Sequence, residues 1–380
     1  MNKQYGYFDD QNKEYVLTTP KTPIKWANYV GTLDFGGLID TTGGTVVCKQ
    51  DPALNRITKY IAQLPQSEFK GSTIYIRRKT EQGYQLFSPF YTPCLEALDK
   101  FECRVGLSYT RWVVEAQGLQ IDVKIFVPQG SSTLLQDIKV TNISQQTQAV
   151  DVAPVYEFTH FDALKQLVNA DWVPQTMTLK AHAEDSGHVV LEQYAYMKRD
   201  SAVNYLSCNR PVDSWEGDRR AFLGDNEFGS WSKPLSLQEE SLSNSECDRG
   251  DNVGALLVKL GELTPGQTER VITQLGQVPS LQEAEADIAL YRNEQAVDQA
   301  FAELSGFWEN YLDVMQVDTP DNAMNSMLNV HNPRQCHTTK NWSRYLSLYQ
   351  LGYGARGIGF RDSSQDLIGV MAHMPQEARE

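Results

Sequence analysis

The sequence predicts a large antiparallel β-sandwich, then a helical linker, then the start of a helical domain. Three observations predict it. Short runs rich in β-branched and aromatic residues, separated by turn chemistry, fill residues 1–278. Few helical patterns interrupt them, which points to antiparallel sheets. At Ser280 the apolar spacing changes from that of strands to that of helices.

The strand candidates are EYVLTT, GTVVCK, STIYIRR, YQLFSPF, LQIDVKIFVP, TLLQDIKVTNIS, HVVLEQYAYM, GALLVKL and ERVITQLG. Turns are expected at the GG of 43–44, the PQG of 128–130 and the TPGQ of 264–267. The number of strands exceeds a simple immunoglobulin-type domain. The segment SLQE, Ser280–Glu283, has the form of a capping box: the Ser280 side chain accepts from the Glu283 amide, and the Glu283 side chain reaches back. Ala284, Ile288, Leu290 and Tyr291, then Phe301, Leu304, Phe307, Trp308 and Leu312, follow at helical spacing, so residues 279–317 read as a linker of one or two helices. Thr319-Pro320-Asp321 restarts a helix with Pro320 near its first turn, opening a third segment over 318–380.

Composition narrows the function classes. The chain has 380 residues and a formal net charge of -14, which argues against non-specific binding to nucleic acid. A small anion held in a local basic pocket is still compatible with that charge. No apolar run approaches the length of a membrane span, and the N-terminus lacks the apolar core of a secretory signal. The six cysteines, 48, 94, 103, 208, 247 and 336, show no CxxC spacing and read as free thiols. Together these predict a cytoplasmic protein. The final residues, HMPQEARE, read as a helix in mid-course, which suggests a longer polypeptide.

Chemistry concentrates in residues 322–366. From Asn322 to Arg361 there is no Asp or Glu in forty residues, where the chain average of 48 in 380 predicts about five. The same stretch holds Arg334, Lys340, Arg344, Arg356 and Arg361, a net of +5. Guanidinium groups form bidentate hydrogen bonds to phosphate or carboxylate, so an anionic ligand explains the reversal. A surface patch facing the acidic remainder explains it too. In GYGARGIGFRDSSQD, the glycines allow close backbone approach. Arg361 beside Asp362 gives a donor next to an acceptor, suited to sugar hydroxyls or to a plain surface ion pair. Other candidates are weaker. His331, Cys336 and His337 lack metal-site spacing. His182 and His188 sit in apparent strands. Ser363 and Ser364 lack a GxSxG setting. Trp342, Tyr345 and Tyr349 form one helix face, a core seam or a sugar-stacking platform.

The segment SRYLSLYQLGYGARGIGFRDSSQD resembles the start of the catalytic barrel in glycoside hydrolase family 94, the cellobiose, chitobiose and cellobionic acid phosphorylases. YGYFDDQNKEYVLTTPKTPIKWANYVG, ECRVGLSYTRW, FVPQG and KVTNIS are similar to that family's β domain. The resemblance runs along the whole chain and implies a β-sandwich, a helical linker and the beginning of a six-hairpin α/α barrel, truncated here because the family's proteins are about twice as long. It implies phosphate binding by Arg344 and sugar binding by Arg356, Arg361 and Asp362. The general acid is implied to be an aspartate beyond residue 380. No cofactor or metal is implied; inorganic phosphate and a disaccharide are the substrates of a homodimer. The wording RGIGFRDSSQD follows the cellobiose type and not the chitobiose-type GLGYRDTAQD, which implies cellobiose or cellobionic acid. Two departures stand out. Ala355 lengthens the usual GRG, and Pro333 should kink its helix. An inverting glycoside hydrolase on a similar barrel and a non-catalytic carbohydrate-binding protein are the alternatives.

Overall fold

The computed structural model describes residues 4–32, 34–197, 202–224, 229–342 and 359–380. A ten-stranded antiparallel sheet forms the back of the molecule. In spatial order its strands are Gly6–Asp9, Glu14–Leu17, Lys100–Val105, Tyr109–Ala116, Leu119–Phe126, Thr133–Asn142, Thr268–Val278, Val203–Cys208, Val189–Ala195 and Met177–Ala183. Facing it is a five-stranded sheet in the order Ser214–Asp218, Asn252–Leu263, Gln148–Glu157, Ser72–Thr80 and Gly83–Phe87. A three-stranded meander, Ala27–Gly31, Gly36–Asp40 and Thr45–Cys48, completes the front. Every expected strand run contributes a strand.

Alternation explains the layering. Leu119–Phe126 buries Leu119, Ile121, Val123 and Ile125 on the inner face, while the intervening residues are part-exposed. Its partner Thr133–Asn142 pairs in register, Leu119 opposite Asn142 and Phe126 opposite Leu135. Between the layers, Trp112 packs edge-on to Phe90 at 4.7 Å, and Ile74, Ile76, Val152 and Val258 come from the front sheet. Burying each such side chain contributes roughly 1.5–3 kcal/mol. The turns follow their expected chemistry. At 43–44, Gly43 has φ +84° and donates to the Asp40 carbonyl, while the Asp40 carboxylate accepts from the amides of Thr42 and Gly44. Gly266, φ +80°, turns the TPGQ hairpin.

Two short helices, Ala163–Val168 and Arg219–Leu223, interrupt the β region and were not expected. Each is capped by an aspartate, Asp162 and Asp218. The capping box at Ser280 takes another form. Leu281–Ala284 is a 3-10 turn in which the Glu283 amide donates to the Ser280 carbonyl at 3.0 Å; the Ser280 hydroxyl, which gives no amide cap, lies 3.4 Å from the Glu283 carboxylate. The helix Glu285–Tyr291 follows, with Leu290 exposed.

Asn293 then caps a long helix, Glu294–Asp313, by accepting from Gln295 and Ala296. Its buried stripe, Val297, Ala300, Leu304, Trp308, Tyr311 and Leu312, lies on Phe126, Leu135 and Ile272 of the ten-stranded sheet's outer face. Arg270 ties sheet to helix through Asp137 (2.7 Å) and Asp298 (2.7 Å). The next helix, Asn322–Ser326, is capped by Asp321, so Pro320 precedes the cap and lies outside the first turn. It runs into a π turn, Met327–His331, which ends two residues before Pro333, and the helix Asn332–Trp342 continues from it. Pro333 has no amide to donate, and the widened turn accommodates it. All six cysteines are unpaired. No helix of the described residues is long and apolar enough to cross a membrane.

Candidate functional site

The helix Asn332–Trp342 leads into the segment that the sequence singles out. Two of the expected site residues, Arg344 and Arg356, lie outside the described residues, as do Tyr345, Tyr349 and Ala355. The other two, Arg361 and Asp362, open the helix Phe360–Ile368 behind Gly359. Arg361 is 84% exposed, and its guanidinium is 3.5 Å from the Asp362 carboxylate, a loose pair in solvent. Asp362 lies in the first helical turn, where the helix dipole favours a negative charge.

The remaining cations of the acid-free stretch have contrasting partners. Lys340 reaches out of the stretch to Glu377 at 2.5 Å. Arg334 donates to the side-chain oxygen of Asn28, and among the described residues no carboxylate lies within ion-pair range of it. Loss of hydration on burial pulls its guanidinium below the usual arginine range. Asn28 is buried and held by its amide nitrogen, which donates to the Gly106 carbonyl (3.2 Å), the Tyr109 carbonyl (2.7 Å) and the Thr110 hydroxyl (3.2 Å). Sequence reasoning missed Asn28. Its one signal is a polar residue at an inward position of a strand, and that shows only once the strand register is known.

The histidines and Cys336 near this helix do not converge. His331 packs against Phe8 at 4.9 Å, and burial lowers its pKa, with the Arg334 charge adding to the effect. His337 sits among Phe307, Trp308 and Tyr311, and burial pushes its pKa down to about 4. His373 packs on Tyr311, and neither of its ring nitrogens has a partner. Among the described residues no three His, Cys, Asp or Glu side chains group as metal ligands. Trp342 is buried and stacks on Tyr29, with ring centres 6.0 Å apart. His182 pairs with Glu192 at 2.8 Å across a surface hairpin. A cavity of about 230 Å³ lies where the β domain meets the helices, lined by Asp34, Ser108, Gln129, Ser132, Phe307 and His337. A larger cleft of about 660 Å³, lined by Tyr84, Gln117, Ser232 and Lys233, opens on the edge strand Gly83–Phe87.

Two family models match, one over the β region and one over the helices that follow it. The glycosyl hydrolase 94 supersandwich domain matches residues 13–294, and the glycosyl hydrolase 94 superfamily catalytic domain matches residues 307–380. The chain belongs to glycosyl hydrolase family 94. It is 30% identical to an N,N'-diacetylchitobiose phosphorylase of Vibrio furnissii, over 99% of this chain and 46% of that protein. It is 24% identical to a 3-O-beta-D-glucopyranosyl-beta-D-glucuronide phosphorylase of Paenibacillus borealis, over 99% of this chain and 45% of that protein. With a cellobionic acid phosphorylase of Neurospora crassa it shares 25% identity over 70% of this chain and 33% of that protein. The chain thus spans less than half the length of each of these relatives.

Proposed function

We propose that this chain supplies the β domain (1–278), the helical linker (279–317) and the beginning of a six-hairpin α/α barrel (318–380) of an inverting disaccharide phosphorylase. Family membership supports the class. The observation that carries phosphate as co-substrate is the reversal of charge over Asn322–Arg361, five cations and no acid.

The chemistry explains why such a site has few carboxylates. An inverting hydrolase needs one carboxylic acid to protonate the leaving oxygen and one carboxylate to activate water. Phosphate is already an anionic nucleophile, so cations that orient it replace the second carboxylate. Arg344 is proposed to hold phosphate. Arg356, Arg361 and Asp362 are proposed to hold the donor glucosyl unit, Asp362 accepting from hydroxyls and the guanidinium groups donating to hydroxyl oxygens. Attack on a β-glucoside with inversion yields α-glucose 1-phosphate. The proton donor is assigned to an aspartate outside these 380 residues, and no cofactor or metal is required.

The disaccharide is proposed to be cellobiose or cellobionic acid, supported by the wording RGIGFRDSSQD. Relatives named for chitobiose, glucuronide and cellobionic acid substrates make the acceptor the point to test. The full-length protein, run in reverse from glucose 1-phosphate, should prefer glucose or gluconate as acceptor; preference for N-acetylglucosamine would defeat the assignment. Arg344→Ala should raise the Michaelis constant for phosphate about tenfold or more, because a charge-assisted pair contributes roughly 1.5–3 kcal/mol. Unchanged phosphate dependence would remove Arg344 from the site.

A further inference from the structure

The cleft on the edge strand Gly83–Phe87 belongs to the β domain, and neither Arg361 nor Asp362 lines it. Its volume, about 660 Å³, falls in the range of small-molecule sites, roughly 300–1,000 Å³. The cleft wraps round the strand: Tyr84 and Leu86 line it from one face and Gln85 from the other. Gln117 reaches it from the ten-stranded sheet, where Gln117-Gly118 is the two-residue turn joining Tyr109–Ala116 to Leu119–Phe126. Gln117 has φ +54° and Gly118 φ +78°, the left-handed pair of a tight hairpin. Glycine, asparagine or aspartate would adopt that turn with less strain than glutamine does.

The Gln117 backbone carbonyl accepts from the Arg78 guanidinium at 2.7 Å. Its side-chain oxygen is buried and has no hydrogen-bond partner among the described residues. A buried acceptor left in this way is costly, and rotation of the side chain would offer it to a donor in the cleft. The same glutamine lines a second cleft of about 470 Å³, together with Arg78, Ser144 and Gln148. The two clefts therefore meet at Gln117 as one polar groove.

The lining selects the ligand. Gln85, Gln117 and Gln238 offer neutral amides, each both donor and acceptor, which match hydroxyl groups. The nearby cations are already engaged, Arg78 with the Gln117 carbonyl and Gln85 (3.1 Å), Lys79 with Glu240 (3.3 Å). Tyr84 adds a flat apolar surface. Its hydroxyl donates to Glu240 at 2.6 Å, and the Arg77 guanidinium lies 3.9 Å from its ring centre, so the ring is fixed before any ligand arrives. Cys94 also lines the cleft, but burial pushes its thiol up to about 12, so it stays protonated and offers no thiolate nucleophile. The groove is built to bind and not to react.

We propose that this groove binds a neutral glucan chain, with Tyr84 as the stacking surface and Gln117 as the hydrogen-bonding anchor. The proposal does not rest on the phosphorylase assignment.

The test is retardation of the full-length protein in native gels cast with hydroxyethylcellulose or with glycogen, a neutral β-glucan and a neutral α-glucan. Tyr84→Ala, Tyr84→Phe and Gln117→Gly are compared with the wild type. Glycine suits the left-handed turn, so Gln117→Gly should keep the wild-type thermal midpoint. The expected result is that at least one glucan retards the wild type, and that Gln117→Gly and Tyr84→Ala each weaken the binding read from the gel roughly threefold to tenfold. Tyr84→Phe, which keeps the ring, should stay close to the wild type, and cellobiose turnover should be unchanged throughout. No retardation by either glucan would overturn the proposal, as would equal retardation of the wild type and Gln117→Gly. Turnover that falls in step with retardation would overturn it too, because the binding read would then be that of the reaction. Retardation is read whether or not cellobiose is cleaved, so failure of the phosphorylase assignment leaves this test intact.

Discussion

The β domain and the helix Phe360–Ile368 treat their apolar residues differently. In the strand Tyr109–Ala116 every second residue is buried, from Thr110 through Trp112 and Val114 to Ala116. In the helix Phe360–Ile368 no residue is buried, although Phe360, Leu367 and Ile368, with Met371 just beyond, form a stripe at helical spacing. Phe360 is 90% exposed and Ile368 66%. Charges divide less sharply, since Lys340 of the helices pairs with Glu377. Within the β domain the Arg77 guanidinium, fully buried, meets Asp151 at 2.7 Å, while in the helical segment Arg334 meets an amide. The periodicity of the strands is thus answered within the described residues, and that of the last helices is not. An amphipathic helix gains most of its stability from packing its apolar face, so the two regions should respond differently to mutation.

The largest expected effect lies in the β core. Trp112→Ala removes a fully buried ring and its hydrogen bond to the Thr41 carbonyl (3.1 Å), and should cost about 3–5 kcal/mol in denaturant unfolding. A loss under 1 kcal/mol would mean that the sandwich is not the rigid half.

A smaller effect belongs to the junction. Burial, with the nearby Lys340 charge second, holds His337 at a pKa of about 4 against 6.5 for the free side chain. The folded state therefore disfavours the imidazolium. The stabilisation is complete above pH 6.5 and is lost as the pH falls towards 4, up to about 3 kcal/mol in all. His337→Phe should flatten that pH dependence. An equally steep acid loss in the variant would move the cause elsewhere.

The smallest effect should come from the exposed stripe. Phe360→Ser should change stability by less than about 0.5 kcal/mol, yet reduce self-association of the 380-residue chain in sedimentation experiments. A stability loss comparable to that of Trp112→Ala would show that Phe360 is packed after all.

What the sequence made legible follows the same division. Alternating runs located the strands, because a half-buried sheet imposes a period of two on its residues. The helices Ala163–Val168 and Arg219–Leu223 escaped notice because six and five residues are too few to establish a helical period. The capping box was misread because Ser280 and Glu283 fit a 3-10 turn as well as an α-helix, and only the backbone decides between them. The kink expected at Pro333 follows from its missing amide and takes the form of a π turn. At the candidate site the sequence pointed to the basic stretch through charge alone. It could not point to Asn28 or Tyr29, which lie some three hundred residues away from their partners.

Phosphate dependence of cleavage tests the central claim most directly. The full-length protein would be incubated with cellobiose and with cellobionic acid, with and without inorganic phosphate, and the products followed by NMR. The expected result is α-glucose 1-phosphate with phosphate present and no cleavage without it. Release of free glucose at the same rate in the absence of phosphate would contradict it, and would identify a hydrolase.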